Sequence, residues 1–71
     1  MTFAICLKNE GYEASLELRK IYQVVPPEPN DPHGYIRIVD ESGEDYLYDA
    51  KAFEPVQLPP RTARRIRATL A

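Results

Sequence analysis

Residues 35–53 read YIRIVDESGEDYLYDAKAF, and this stretch carries the strongest signals of regular structure in the chain. Ile36 and Ile38 fall on one face of its first five residues, which is the two-residue period of a β-strand. Gly43 occupies the position where a type I turn followed by a bulge needs a left-handed residue. Asp45–Tyr48 then returns as the partner strand. The stretch therefore predicts an antiparallel hairpin.

The end of the stretch predicts a short turn and an edge strand. Asp49–Ala52 fits one 3₁₀ turn, and Phe53–Gln57 follows it as a short strand. Proline donates no backbone hydrogen bond, so Pro55 indicates that this strand lies at the edge of a sheet.

Upstream of the hairpin, the pattern predicts further extended segments. Thr2–Lys8 alternates so that Phe3, Ile5 and Leu7 share a large apolar face, which predicts a strand. Asn9, Glu10 and Gly11 have the chemistry of a turn. The next apolar residues change phase near Arg19 and Lys20, which favours two extended pieces at residues 14–18 and 21–25. A short helix over residues 14–22 remains an alternative.

Residues 26–34 contain four prolines and predict a stiff surface loop, because each proline removes a backbone donor and disfavours helix before it. The proline spacing also resembles a polyproline-type ligand, but no basic residue flanks it. We therefore interpret the segment as a rigid connector. His33 lies in this loop without a nearby partner for acid or base chemistry.

The C-terminal segment predicts a helix. Pro59 and Pro60 suit its first turn, where the missing donor is not needed. Arg61–Leu70 follows with good helix formers and places Ala63, Ile66 and Leu70 on one side. So short a helix is marginal in water, and we expect it to dock on the rest of the chain or on a partner.

Length and charge set limits on the fold and its partners. The chain has 71 residues and one cysteine, so we expect one small domain with a thin core and no internal disulfide. Residues 1–60 carry five basic and eleven acidic side chains, a net charge of −6, whereas residues 61–71 carry four arginines and no acid. This asymmetry favours an electrostatic partner. The apolar run of residues 3–7 is too short for a signal peptide or a membrane span, which predicts a cytoplasmic protein without membrane contact.

The order of the predicted elements resembles a Src-homology-3 barrel, with a long irregular first hairpin, a three-strand meander, one helical turn and a short closing strand. The most specific residues are Gly43, Tyr46, Tyr48, residues 49–53 and Val56. Over about residues 12–58, the resemblance implies a mostly β, Src-homology-3-like small barrel of about five strands. We accordingly divide the chain into a barrel domain, residues 1–58, and a basic C-terminal helix, residues 59–71, packed on or appended to it.

Two further comparisons bear on function. Segments such as residues 40–48 are similar to a family of uncharacterised short bacterial proteins, a resemblance that implies no function. Signalling Src-homology-3 domains bind proline-rich peptides with a tyrosine-rich motif and a tryptophan. This chain has no tryptophan, and its first hairpin carries only Tyr12. An aromatic groove would have to be built from Tyr22, Tyr35, Tyr46 and Tyr48.

Two other motifs favour ordinary structural roles. Asp40, Ser42 and Glu44 alternate oxygen ligands as a calcium loop does, but no glutamate follows at the twelfth position. We interpret this segment as a solvated hairpin turn and predict no metal site. Cys6 lies between Ile5 and Leu7 and is expected to be a buried, inert thiol. No set of nucleophile, base and orienting residue is present, so we predict neither an enzyme nor a cofactor.

A protein-interaction or regulatory module is our first hypothesis, because tyrosine and arginine are enriched at interface hot spots. Its candidate contact residues are Tyr22, Tyr35, Tyr46, Tyr48, Arg61, Arg64, Arg65 and Arg67. The alternative is that two or three of the tyrosines cap the core of the barrel and make no contact with a partner. The alternative function is a small nucleic-acid-binding barrel that uses the arginines of the C-terminal helix. The partner is expected to be another protein, with a second copy of the chain also open.

Overall fold

The computed structural model describes residues 2–69 and contains five strands followed by one helix. The elements are β1 (Thr2–Cys6), β2 (Ile21–Val25), β3 (Tyr35–Val39), β4 (Asp45–Asp49), a 3₁₀ turn (Ala50–Ala52), β5 (Phe53–Val56) and α1 (Pro60–Thr69). The mostly β class, the hairpin, the 3₁₀ turn and the C-terminal helix are therefore confirmed, with boundaries that shift by one or two residues.

All five strands lie in one antiparallel sheet of order β4-β3-β2-β1-β5. In this order β4 and β5 form the two edges. The backbone N–H of Leu7 donates to the carbonyl of Ala52 at 2.8 Å and so continues the β1–β5 ladder. This bond shows which opposed residue pairs of the ladder are hydrogen-bonded, since such pairs alternate with non-bonded ones. Pro55 then falls opposite Ala4 at a position whose backbone nitrogen points away from β1. The edge position predicted from Pro55 is confirmed.

The main hydrophobic core covers one face of this sheet. Tyr22 pairs with Ala4 across the β1–β2 ladder, and Ile38 pairs with Val24 across β2–β3. Successive side chains of a strand alternate between faces, so these pairs define the core face. The core residues are Ala4, Cys6, Leu16, Tyr22, Ile38, Tyr48 and Phe53.

The opposite face of the sheet is covered in part by α1. Phe3 is only 2% exposed although it points away from the core cluster. It lines a groove of about 440 Å³ together with Ile66 of α1. Ala63 and Ile66 are half-buried, whereas α1 contains no fully buried residue. Ile66 of the predicted stripe therefore lies across this groove from Phe3, and Leu70 lies outside the described residues.

Two predictions for the N-terminal third are wrong. Residues 14–18 form turns, not a strand, and the alternative helix over residues 14–22 is absent as well. Leu16 is nevertheless buried, at 1% exposure, because the loop folds over the core face. Phe3 and Ile5 share one face of β1 as predicted, but the main core lies on the opposite face, with Ala4 and Cys6. Leu7 lies beyond the end of β1 and is 49% exposed.

The proline-rich loop of residues 26–34 runs over the surface as predicted, and it is tied to the sheet. Arg37 of β3 forms ion pairs with Glu28 and Asp31 of this loop and with Asp45 of β4. The backbone N–H of Glu28 also donates to Asp31. Charge pairing therefore holds the loop against the β3–β4 hairpin.

Candidate interaction surface

The candidate contact residues do not form one surface. Tyr22 and Tyr48 are each 5% exposed and belong to the core. The exposure assumed for these two tyrosines is therefore wrong, and they correspond to the alternative in which some tyrosines cap the core. Tyr35 and Tyr46 are about half exposed, at 52% and 50%. Tyr46 pairs with Ile38 and shares its face, whereas Tyr35 lies on the other face.

Tyr46 lies beside a second exposed tyrosine, Tyr12, which comes from the loop between β1 and β2. Both rings line a groove of about 390 Å³ between that loop and the β3–β4 hairpin. The ring of Tyr12 meets that of buried Tyr48 edge to face, with centroids 5.1 Å apart. We call this feature the tyrosine groove; its lining residues are Tyr12, Ser15, Asp40, Ser42, Tyr46, Leu47 and Tyr48.

A buried carboxylate forms the polar floor of the tyrosine groove. Asp40 is 6% exposed and accepts hydrogen bonds from the Tyr48 hydroxyl at 2.6 Å and the Ser42 hydroxyl at 2.6 Å. The backbone N–H of Ser42 donates to it as well, at 2.9 Å. Burial alone would raise the pKa of Asp40, but the bonds from Ser42 and Tyr48 outweigh burial and lower it. The groove therefore holds an ionised carboxylate.

Burial and the hydrogen bond to Asp40 also shift the pKa of Tyr48. Burial, followed by its hydrogen bond to Asp40, raises the pKa of Tyr48 to about 12. The phenol therefore stays protonated at neutral pH and keeps donating to Asp40. The solvated-turn interpretation holds for residues 41–44, which are exposed, but it is wrong for Asp40.

A second polar network fixes the β1–β2 loop against the hairpin turn. Glu41 accepts hydrogen bonds from Lys20 Nζ at 2.6 Å and from the Tyr22 hydroxyl, and its backbone N–H donates to Ser15 at 3.0 Å. The Tyr22 hydroxyl in turn accepts from the backbone N–H of Glu17 at 2.7 Å. Lys20, and then Tyr22, lower the pKa of Glu41. Both walls of the tyrosine groove are thus held in place.

The arginines of α1 form a separate, positively charged surface. Arg61, Arg64, Arg65 and Arg67 are all exposed. None of them forms an ion pair with an acidic side chain among residues 2–69, where every ion pair involves Lys20 or Arg37.

Sequence reasoning missed the residues that build the groove around Tyr46. Tyr12, Ser15 and Asp40 were not predicted as contact residues, because a long-range bond, from the backbone N–H of Glu41 to the carbonyl of Ser15, brings the loop beside the hairpin. Of the residues described, no group of three or more His, Cys, Asp or Glu could hold a metal ion. No helix within the described part of the chain has the length and apolar character needed to cross a bilayer.

Comparison with known proteins gives no relative from which a function could be transferred. We found no match to this chain among the models of protein families, the curated proteins or the solved structures.

Proposed function

We propose that the chain is a non-catalytic protein-interaction module and that the tyrosine groove is its contact surface. The observation that carries this proposal is the position of Tyr12 and Tyr46, which are 53% and 50% exposed and line the same groove. Tyrosines supply large contact area with few rotatable bonds and a hydroxyl for hydrogen bonding, which is why they are frequent at hot spots.

The walls of the groove support the same function. Asp40, Tyr48 and Ser42 are linked to one another, and Glu41 links the hairpin to the β1–β2 loop. A surface that is already ordered loses little conformational entropy when a partner binds. A partner would therefore meet two tyrosine rings held over a fixed floor.

A random peptide library displayed on phage tests this function. We expect the wild-type chain to select peptides that lose at least about tenfold in affinity with Tyr46→Ser, the size of effect typical of a hot spot. Tyr35→Ser is the matched control, because Tyr35 is equally exposed but lies on the other face of the sheet. Equal loss with both variants, or no selection of peptides, would overturn the proposal.

We also propose that the sheet curls toward a Src-homology-3-like small barrel over residues 1–58, with residues 59–71 as the appended helix. The strand order β4-β3-β2-β1-β5 supports this, as does the contact between Tyr48 of β4 and Phe53 of β5, whose ring centroids lie 6.0 Å apart. These two strands are the edges of the sheet, and the short 3₁₀ turn joins them. The cytoplasmic location remains a prediction.

A second candidate function is nucleic-acid binding by α1, which is favoured by the exposure of its four arginines. The test is a labelled single-stranded oligonucleotide titrated at several salt concentrations. Four phosphate contacts would give a slope of log K against log salt no steeper than about −4. Arg64→Gln with Arg65→Gln should weaken binding, whereas Lys51→Gln, which removes an exposed cation outside α1, should not. No binding at low salt would exclude this function.

A further inference from the structure

The four exposed arginines of α1 leave a concentrated positive charge without a partner in the described part of the molecule. By contrast, the body of residues 1–60 has a net charge of −6. Opposite charges of this size on one chain attract each other between molecules as well as within one.

The tyrosine groove is the part of the body best suited to an arginine. The guanidinium group stacks on aromatic faces and donates hydrogen bonds to carboxylates, and the groove is lined by exposed Tyr12 and Tyr46 together with Asp40. No basic residue lines it among the described residues. Glu13, which is exposed and follows Tyr12 in sequence, adds negative charge at its rim.

Within one molecule, α1 and the tyrosine rings of the groove lie on different faces of the sheet. Ile66 of α1 lies across from Phe3, on the face opposite the core cluster, and the space between them extends to Asp40 at the hairpin turn. Tyr46 and Tyr48 of the groove lie on the core face with Ile38. Only three residues, Gln57 to Pro59, connect β5 to α1. This arrangement favours contact of the arginines with the groove of another molecule.

We propose that α1 of one copy of this chain binds the tyrosine groove of a second copy, with Arg64 and Arg65 as the central contacts. The inference rests on the proposed function, since it names a partner for the same groove. The contact joins two different surfaces, α1 of one copy and the groove of the other, so it is heterologous. Each dimer therefore keeps one free groove and one free helix. Assembly therefore continues beyond the dimer as concentration rises.

Sedimentation velocity of the full chain tests this proposal. We expect the weight-average mass to rise with protein concentration at about 20 mM salt and to return to that of the monomer at about 500 mM salt, where exposed charges are screened. The groove variant Tyr46→Ser and the helix variant Arg64→Gln/Arg65→Gln should each stay monomeric. Tyr35→Ser should assemble like the wild type, and circular dichroism checks that every variant is folded.

Mixing the two monomeric variants gives the decisive result. The groove variant keeps an intact helix and the helix variant keeps an intact groove, so an equimolar mixture should form a dimer that grows no further. A mixture that stays monomeric, or a wild-type chain that stays monomeric at low salt, would overturn the inference. The proposed function would survive either result if the phage-selected peptides still required Tyr46. Assembly that persists in Tyr46→Ser would instead exclude the groove as the site.

Discussion

Arg37 holds Asp31 in a two-pronged ion pair, in which Nε donates to Oδ2 at 2.7 Å and Nη2 donates to Oδ1 at 2.8 Å. Nη1 of the same guanidinium donates to Asp45 at 2.9 Å. One side chain thereby links the proline-rich loop to β3 and β4. A lysine cannot reproduce this geometry, because an ammonium group lacks the planar fork.

We expect Arg37→Lys to loosen the proline-rich loop. Amide exchange should quicken at Asp31, whose N–H donates to Glu28 at 3.0 Å. The urea midpoint should fall as well, since the side chains of Arg37 and Asp31 are only 17% and 9% exposed and Asp31 would lose one of its two bonds from Arg37. Arg64→Lys is the control, because Arg64 is exposed and has no ion pair with the described residues. Unchanged exchange at Asp31 would show that the proline residues alone hold the loop.

The ion pair of Arg37 and Asp31 predicts part of the loss of stability at acid pH. The hydrogen bonds from Arg37 lower the pKa of Asp31 in the folded chain. This contribution to stability is complete above the ordinary aspartate pKa near 4 and is lost as pH falls through the lowered folded value. In Asp31→Asn, the free energy of unfolding should therefore depend less on pH between about 4 and 2 than in the wild type. An identical acid profile would contradict the pairing.

The hydrogen bond from Tyr48 to Asp40 predicts that the chain loses stability at alkaline pH. Because the pKa of Tyr48 is raised to about 12 when the chain is folded, its contribution to stability is complete below the ordinary value near 10 and is lost as pH rises toward about 12. Tyr48→Phe should reduce this loss. It should also cost about 1–3 kcal/mol at pH 7, because Asp40 stays buried with one bond fewer. Tyr46→Phe, at a half-exposed ring, should change stability little; equal costs would refute the assignment.

Local patterns were sufficient to predict the hairpin, the edge strand and the helix. Strand periodicity, Gly43 in the turn, Pro55 in β5 and the prolines before α1 act through their own backbone preferences, and these hold in almost any context. Gly43 indeed has a φ of 85°.

The β1–β2 loop could not be predicted in the same way. In this loop, two hydrogen bonds hold Leu16 in its buried position. Asn9 Nδ2 donates to the carbonyl of Leu16 at 2.9 Å, and the backbone N–H of Glu41 donates to the carbonyl of Ser15 at 3.0 Å. The second bond joins residues far apart in sequence, so no local pattern indicates it. The tyrosine groove depends on this loop, and for that reason Tyr12 and Asp40 were missed as site residues.

Gly43 provides a test of the turn itself. A methyl group added there would meet no atom within 4 Å, so Gly43→Ala creates no clash and its cost comes from the positive φ. We expect a loss of about 1–2 kcal/mol in the free energy of unfolding. Gly43→Asn should cost less, because asparagine tolerates this conformation better. Urea denaturation measures both, and equal costs would mean that the turn changes shape in the variants.

Cys6 provides a test of the core. It is fully buried, and burial raises the pKa of its thiol, so little reactive thiolate reaches solvent. If only global unfolding exposes it, modification by a thiol reagent should be slower than in urea by about three orders of magnitude or more. A Thr62→Cys change in a Cys6→Ala background supplies an exposed thiol as the control. Fast modification of native Cys6 would show that β1 opens locally.

The effect of salt distinguishes apolar from electrostatic contributions to the docking of α1. Ile66 is half-buried over the groove that it shares with Phe3, so Ile66→Ala should lower stability by about 1 kcal/mol. Apolar contact is not screened by salt, and this loss should be similar at about 20 mM and about 500 mM salt. Arg64→Ala is the matched control at an exposed position of the same helix and should change monomer stability little. Both are measured by urea unfolding at low protein concentration, where self-association contributes least. A loss in Ile66→Ala that disappears at high salt would mean that charge, not the contact with the sheet, holds the helix in place.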